Sequence, residues 1–274
     1  MTTADSAREA VVAACRHLAA RGLSPGGSGN VSVRVGDHLL VTPTGSSLSR
    51  VRPEDLALVP VAPGPGDDAP TDATPGTTAT ADAAPGHAAI TDAASGHTAI
   101  TDAAPAGTAP VCGAPAGTAP RAGTAAVDGP RPSKELPLHR AVYAARPDAR
   151  AVVHLHSPAA VAASCLEPAA LPPGTATGPL PATTPYQVMR LGDLPVAPFA
   201  LPGSAELAAG VADLAGAAPA LLLANHGSVV AGTHLDAAVD LAEELEAAAQ
   251  VVLLLHGVPH RRLTPAQVRS LRPR

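Results

Sequence analysis

Ala151-Val-Val-His-Leu-His-Ser157 is the stretch that decides the fold. Its paired valines and its alternation mark a strand, because branched side chains suit a pleated, part-buried surface. In a strand, residues two apart point to the same face. His154 and His156 therefore converge on one side, where neutral imidazoles can share a metal ion. Taken alone, the pair reads equally well as two half-exposed strand histidines without a metal.

Helices and strands alternate outward from this strand. A helix over about 135–146 precedes it, and a short helix starts near Ser157. The run Leu166–Pro185 is a Pro-rich loop. Next come a strand near Leu194–Pro198, a helix at about 204–215, and strands at 219–224 and 228–231. A long helix covers about 234–256, and a short one follows Thr264. Toward the N-terminus, Val11, Val12, Cys15 and Leu18 give a helix over 6–21, with Gly22 as its C-cap. Short strands follow at Val31–Val35, Leu39–Thr42 and Leu56–Val59. The order implies one α/β domain, over 1–62 and 130–274.

Residues 63–129 interrupt it. They are almost wholly Ala, Gly, Pro, Thr and Asp, with Asp72, Asp82, Asp92 and Asp102 at a period of ten. Ala-Pro-Ala-Gly-Thr-Ala-Pro occurs at 104–110 and again at 114–120. With no Leu or aromatic to bury, such a segment cannot offset its ordering entropy, and a disordered insert is expected. A β-solenoid is the rival reading of the repeat, but it lacks a continuous apolar face to stack. Seven Asp and one Arg give the insert a charge of −6 against −5 for the whole chain of 274 residues. The acidic balance thus belongs to the insert.

Composition excludes several classes. Aromatics make up 1%, with no Trp, one Phe and two Tyr, so the core must be built from Leu, Val and Ala. Base-stacking platforms need several aromatics, and phosphate-backbone binders need positive charge, so no nucleic-acid partner is expected. No stretch approaches the ~18 apolar residues of a membrane helix. Cys15, Cys112 and Cys165 show no Cys-x-x-Cys spacing, which fits a reducing cytoplasm. Cys165 is expected to pack in the core. Met1-Thr-Thr-Ala-Asp5 does not read as a signal peptide.

Four further groups bear on chemistry. Leu221-Leu-Leu-Ala-Asn-His-Gly227 is a buried strand ending at His226 beside a glycine. On its own His226 reads better as a locally hydrogen-bonded histidine. With His154 and His156 elsewhere, a three-histidine site with an open position becomes the better reading, and that is the catalytic type. Glu135, at a helix start, suits general acid/base work near a metal, or is an ordinary first-turn carboxylate. Gly26–Asn30 and Thr42–Ser47 are Gly- and hydroxyl-rich turns. They can offer N–H groups to an anion, or be two tight turns and no more. His139, four residues after Glu135, could support the site or simply pack. His87 and His97 lie in the repeat, and His256 and His260 fall at or just past the end of the long helix.

Joined in order, Ser-Gly-Asn-Val-Ser32, Thr-Pro-Thr-Gly45, Pro-Ser-Lys-Glu135, His-Leu-His156 and Asn-His-Gly227 resemble the class II aldolase/adducin family across the chain outside 63–129. The resemblance implies a single three-layer α/β/α domain with a central, mostly antiparallel sheet. It implies Zn2+ on His154, His156 and His226, and a catalytic role for Glu135. It also implies a phosphate pocket from Asn30, Thr44, Gly45 and Ser133. Tyr186 matches an active-site tyrosine that reaches toward a neighbouring subunit, and a homotetramer is the implied assembly. Fuculose-phosphate aldolases carry a small hydroxyl residue where Lys134 stands and a Thr where Gly27 stands. Pro-Ser-Lys-Glu135 and Thr184-Pro-Tyr-Gln-Val-Met-Arg-Leu-Gly-Asp193 look most like the 3-oxo-tetronate 4-phosphate decarboxylase branch. Lys134 would add a cation near the phosphate or carboxylate.

The implied activity is that of a zinc-dependent carbon–carbon lyase. It would decarboxylate a phosphorylated 3-oxo sugar acid through a metal-stabilised enediolate. Retro-aldol cleavage of a ketose phosphate such as L-fuculose 1-phosphate is the alternative. A non-catalytic adducin-like scaffold is the third reading.

Overall fold

The computed structural model describes residues 3–62, 130–167 and 180–272. The insert expected at 63–129, with His87, His97 and Cys112, lies outside the described residues, as does 168–179 of the Pro-rich loop.

The strand that carries His154 is β4, Ala151–Leu155, and all five of its residues are buried. It sits at the centre of a seven-stranded sheet ordered β3-β2-β1-β4-β7-β6-β5. The others are β1 (Asn30–Val35), β2 (His38–Val41), β3 (Ala57–Pro60), β5 (Val196–Ala197), β6 (Ala220–Leu223) and β7 (Gly227–Gly232). All neighbours pair antiparallel except β5 and β6, which run parallel. In register, His154 lies between Asn30 of β1 and Val229 of β7.

Strand alternation splits the core in two. Ala151, Val153 and Leu155 face one cluster, built with α1 (Thr3–Ala20), α3 (Pro158–Ser164), α4 (Pro185–Leu191) and α6 (Leu235–Leu254). Val152 faces the other, built with α2 (Leu136–Ala145) and α5 (Ala205–Ala215). The result is the expected three-layer α/β/α domain with a mostly antiparallel sheet. A last helix, α7 (Pro265–Leu271), follows with Thr264 as its N-cap. His256 and His260 follow the end of α6.

Two local expectations are corrected, and one helix stands where no element was expected. The stretch expected as loop, Leu166–Pro185, runs directly into α4. Thr184 accepts a hydrogen bond from Gln187 N, Pro185 opens the first turn, and Gly192 ends α4 at φ 62°. These are ordinary start and stop signals, overlooked in a Pro-rich setting. The strand expected at Leu194–Pro198 shrinks to two residues, because Pro195 and Pro198 have no N–H for the ladder and confine it to the edge. Cys165 is exposed rather than in the core, since it caps the end of α3.

Candidate metal centre and active site

Three separate pieces of chain build the site. β4 supplies His154, and His156 follows it. The turn between β6 and β7 supplies His226. The residue before α2 supplies Glu135, which is its N-cap. One ligand atom from each of Glu135, His154, His156 and His226 lies within 4.8 Å of all the others. The three imidazoles stand edge-on, with centroids 4.7–4.9 Å apart. The turn at His226 is tight: Asn225 sits in the left-handed region at φ 56°.

Hydrogen-bond directions show what the cluster requires. His154 Nδ1 lies 2.8 Å from the Ser228 carbonyl, which can only accept, so Nδ1 carries the proton. In neutral His154, Nε2 then holds a lone pair. That atom is 3.0 Å from His156 Nε2 and 3.2 Å from Glu135 Oε2. Glu135 Oε1 is 3.4 Å from His226 Nε2, without hydrogen-bond geometry. Glu135 Oε1 and both ring nitrogens of His226 are buried and find no hydrogen-bond partner among the described residues. Buried polar atoms without partners cost roughly 1–3 kcal/mol each. A cation among them, proton or metal, satisfies the cluster. Imidazole nitrogens with a carboxylate are a donor set for a divalent ion of the zinc type, so the residues fit a metal.

The electrostatics agree. Burial, then the repulsion that a proton on His154 or His226 would exert, pushes His156 down to about 4, against a smaller opposing effect of Glu135. Burial lowers His226 as well. Both imidazoles are therefore neutral, as ligands must be. Burial alone would raise the Glu135 carboxyl. Without a metal, a second proton on His154, at Nε2, supplies the hydrogen bond and charge that, with the Asn30 amide, outweigh burial and hold the group well below the usual carboxylate range.

Behind Glu135 runs a buried hydrogen-bond chain. Asn30 Nδ2 donates to Glu135 Oε2 at 2.8 Å, and Asn30 Oδ1 accepts from His139 Nε2. His139 Nδ1 lies 2.7 Å from Ser32 Oγ, and Ser32 Oγ lies 3.0 Å from the Tyr143 hydroxyl. His139, fully buried, thus joins the site, while Ser32 and Tyr143 were not foreseen as part of it. The signal was present in the helix spacing of Glu135, His139 and Tyr143 and the strand spacing of Asn30 and Ser32.

The remaining candidates fall in two places. Gly27 approaches the carbonyls of Gly45 and Ser46, so the two Gly-rich turns lie side by side. Ser133 N donates to Thr42 O at 3.0 Å, and Ser133 Oγ accepts from Glu135 N at 3.3 Å. Asn30 and Ser133 thus bond to Glu135 directly, although both polar ends of the Asn30 amide are already engaged, and Thr44 N donates to Arg131 O at 3.3 Å, which ties the Thr44–Gly45 turn to the segment before Ser133. Lys134 is exposed, and its charge helps lower His156 and His226. Tyr186 lies on the first turn of α4, 58% exposed, with the Arg190 guanidinium 6.0 Å from its ring centroid.

Fold and site together define an α/β protein with three histidines and a glutamate converging at the edge of its central strands. The profile described as Class II Aldolase and Adducin N-terminal domain matches residues 9–105 and 111–253. The chain belongs to that family. A 3-oxo-tetronate 4-phosphate decarboxylase from Haemophilus influenzae is 33% identical over 268 residues, spanning 97% of this chain and 96% of that protein. An L-fuculose phosphate aldolase from the same organism is 28% identical over 247 residues, spanning 89% and 81%. Among solved structures, YgbL from Klebsiella pneumoniae superposes with a TM-score of 0.70 at 31% identity, covering 99% of this chain and all of that one. Among the described residues, no helix is long and apolar enough to cross a membrane.

Proposed function

We propose that the chain is a zinc-dependent lyase that decarboxylates a 3-oxo-tetronate 4-phosphate. The observation that carries this reading is the convergence of Glu135, His154, His156 and His226 within 4.8 Å, with orphaned donor atoms on two of the four. The decarboxylase relative spanning 97% of the chain supports the choice of reaction.

His154, His156 and His226 would hold the metal, which when bound supplies Lewis-acid stabilisation of negative charge developing on the substrate. Departure of carbon dioxide leaves an electron pair on the adjoining carbon, and a proton must be delivered there. Glu135, buried among the histidines, and Tyr186 are the carriers we assign to that proton. Thr44, Gly45 and Ser133 offer hydroxyl and backbone N–H groups to the substrate phosphate, with Asn30 beside them. Lys134 supplies the positive charge. A homotetramer in the cytoplasm completes the reading. Exposed Tyr186, Met189, Phe199 and Leu201 are apolar side chains that such an assembly would bury.

Retro-aldol cleavage of L-fuculose 1-phosphate is the second reading. It rests on the same four groups and on the aldolase relative. A scaffold without catalysis would have no need of the intact cluster. Incubation with 3-oxo-erythronate 4-phosphate and with L-fuculose 1-phosphate, each with and without a chelator, decides. Release of carbon dioxide from the first, abolished by chelator and restored by zinc, is expected. Turnover of the second alone would overturn the proposal.

A further inference from the structure

Two of the three histidines are tied to the ends of one short helix. α3 begins two residues after His156, with Ser157 as its N-cap, and the Ser157 side chain makes no capping bond. A carboxylate from another helix takes that place. Glu246 of α6 accepts from Ala159 N through Oε1 at 3.0 Å and from Ala160 N through Oε2 at 2.9 Å. Gln250 Nε2 adds a third bond to Oε1 at 3.3 Å. Glu246 is 3% exposed, so the helix start is locked to α6 inside the protein.

At its other end α3 holds the second histidine. Ser164, its last residue, accepts from Asn225 N through its carbonyl at 3.1 Å and from His226 N through Oγ at 3.3 Å. These bonds fall on the turn whose Asn225 has a positive φ, a conformation that Asn tolerates better than other side chains and that the two bonds hold in place. α3 therefore spans from the residue after His156 to the backbone of His226.

We infer that Glu246 and Ser164 are positioning residues for the metal: together they make α3 a strut that sets the spacing of His156 and His226. The inference rests on the zinc reading of the histidines, not on the choice of substrate. Neither residue bonds to a ligand atom of the cluster. Their effect runs through backbone N–H groups, as outer partners of metal ligands commonly act.

The test is zinc affinity of the full-length protein, read by competition with a chromophoric chelator, beside the melting temperature of the metal-free form. Glu246→Gln sets an amide NH2 against one of the two N–H donors. It should weaken zinc by about tenfold or more, the range found for partners behind metal ligands. Ser164→Ala keeps the carbonyl but loses Oγ, and should weaken zinc by a smaller factor. Val11→Ala removes volume on α1 from the core cluster that α3 shares, without touching either hydrogen-bonded end of α3, and controls for stability. It should lower the melting temperature and leave zinc affinity unchanged. Unaltered zinc affinity in folded Glu246→Gln and Ser164→Ala overturns the strut. So does a Val11→Ala loss of affinity equal to theirs. If Glu246→Gln does not fold, Ser164→Ala decides. Zinc binding by a wild type that decarboxylates nothing would overturn the proposed reaction and leave the strut standing. A wild type that takes up no zinc overturns both.

Discussion

Asn30 and Glu135 are joined by a bond whose direction is set from behind. Asn30 Nδ2 donates to Glu135 Oε2 at 2.8 Å because Asn30 Oδ1 is occupied by the Nε2 proton of His139. His139 can donate from Nε2 while neutral because its Nδ1 faces the Ser32 hydroxyl, which can supply the other proton. The amide is thereby oriented without ambiguity, and the carboxylate always meets a donor.

Glu135→Gln tests what that carboxylate does. The substitution keeps the shape and removes the charge and the proton-carrying group. We expect kcat for carbon dioxide release to fall by about 10²–10⁴, the usual worth of a positioned acid or base. Zinc measured by metal analysis should stay near one per chain, because three histidines remain. A variant with nearly wild-type turnover would remove Glu135 from the chemistry.

The chain behind Asn30 should be felt as both stability and activity. His139→Leu leaves Asn30 Oδ1 buried without its donor, at a cost of about 1–3 kcal/mol. Tyr143→Phe removes one hydroxyl bonded to Ser32 and should cost about 1 kcal/mol. Urea unfolding gives both values. Because only His139→Leu frees the Asn30 amide to turn, only that variant should also lower kcat. Equal effects on kcat would show that His139 merely packs.

The pH response of the metal-free protein follows from the same burial. His139 has an ordinary value of 6.5 and is pushed down to about 3 in the fold, chiefly by burial and next by the charge of His154. Between those values the unfolded chain takes up a proton that the folded chain refuses. Stability is therefore full above 6.5 and is lost as pH falls toward 3. His156, pushed to about 4, acts in the same direction. Glu135, depressed from 4.5, adds its own loss only below that value, so pH 5 isolates the histidines. At pH 5 His139 alone should cost about 2 kcal/mol relative to pH 7.5. Urea unfolding at the two values checks this, and His139→Leu should shrink the difference by about that 2 kcal/mol and leave the share of His156.

What the sequence made legible was local. β4 could be read from its alternation, and with it the convergence of His154 and His156. Glu135 could be placed at a helix start. His226 could not be placed by local pattern, because its position depends on β7 pairing with β4 and on the positive φ of Asn225. Neither fact has a local signal strong enough to compete with an ordinary turn. Glu246 escaped for a related reason. On an amphipathic helix a Glu reads as a solvated residue, and only the packing of α3 on α6 turns it inward. Asn30 was legible as a site residue, but its bonds to Glu135 and His139 join positions 105 and 109 residues apart.

Gly227→Ala should show how closely the two histidine-bearing segments fit. A Cβ at Gly227 would lie 2.3 Å from the Leu155 carbonyl oxygen and 3.2 Å from His156 Cδ2. The first contact is with backbone inside the β4–β7 pairing, so no side-chain rotation can relieve it. The strands must part or shift, which for overpacking costs typically 1–3 kcal/mol and more where backbone is struck. The shift acts on both sides of the site at once, since Leu155 precedes His156 and Gly227 follows His226. We therefore expect the variant to lose zinc affinity as well as stability. Chelator competition and thermal unfolding measure the two together. A protein that melts lower but binds zinc as the wild type does would show that this close approach serves the sheet alone.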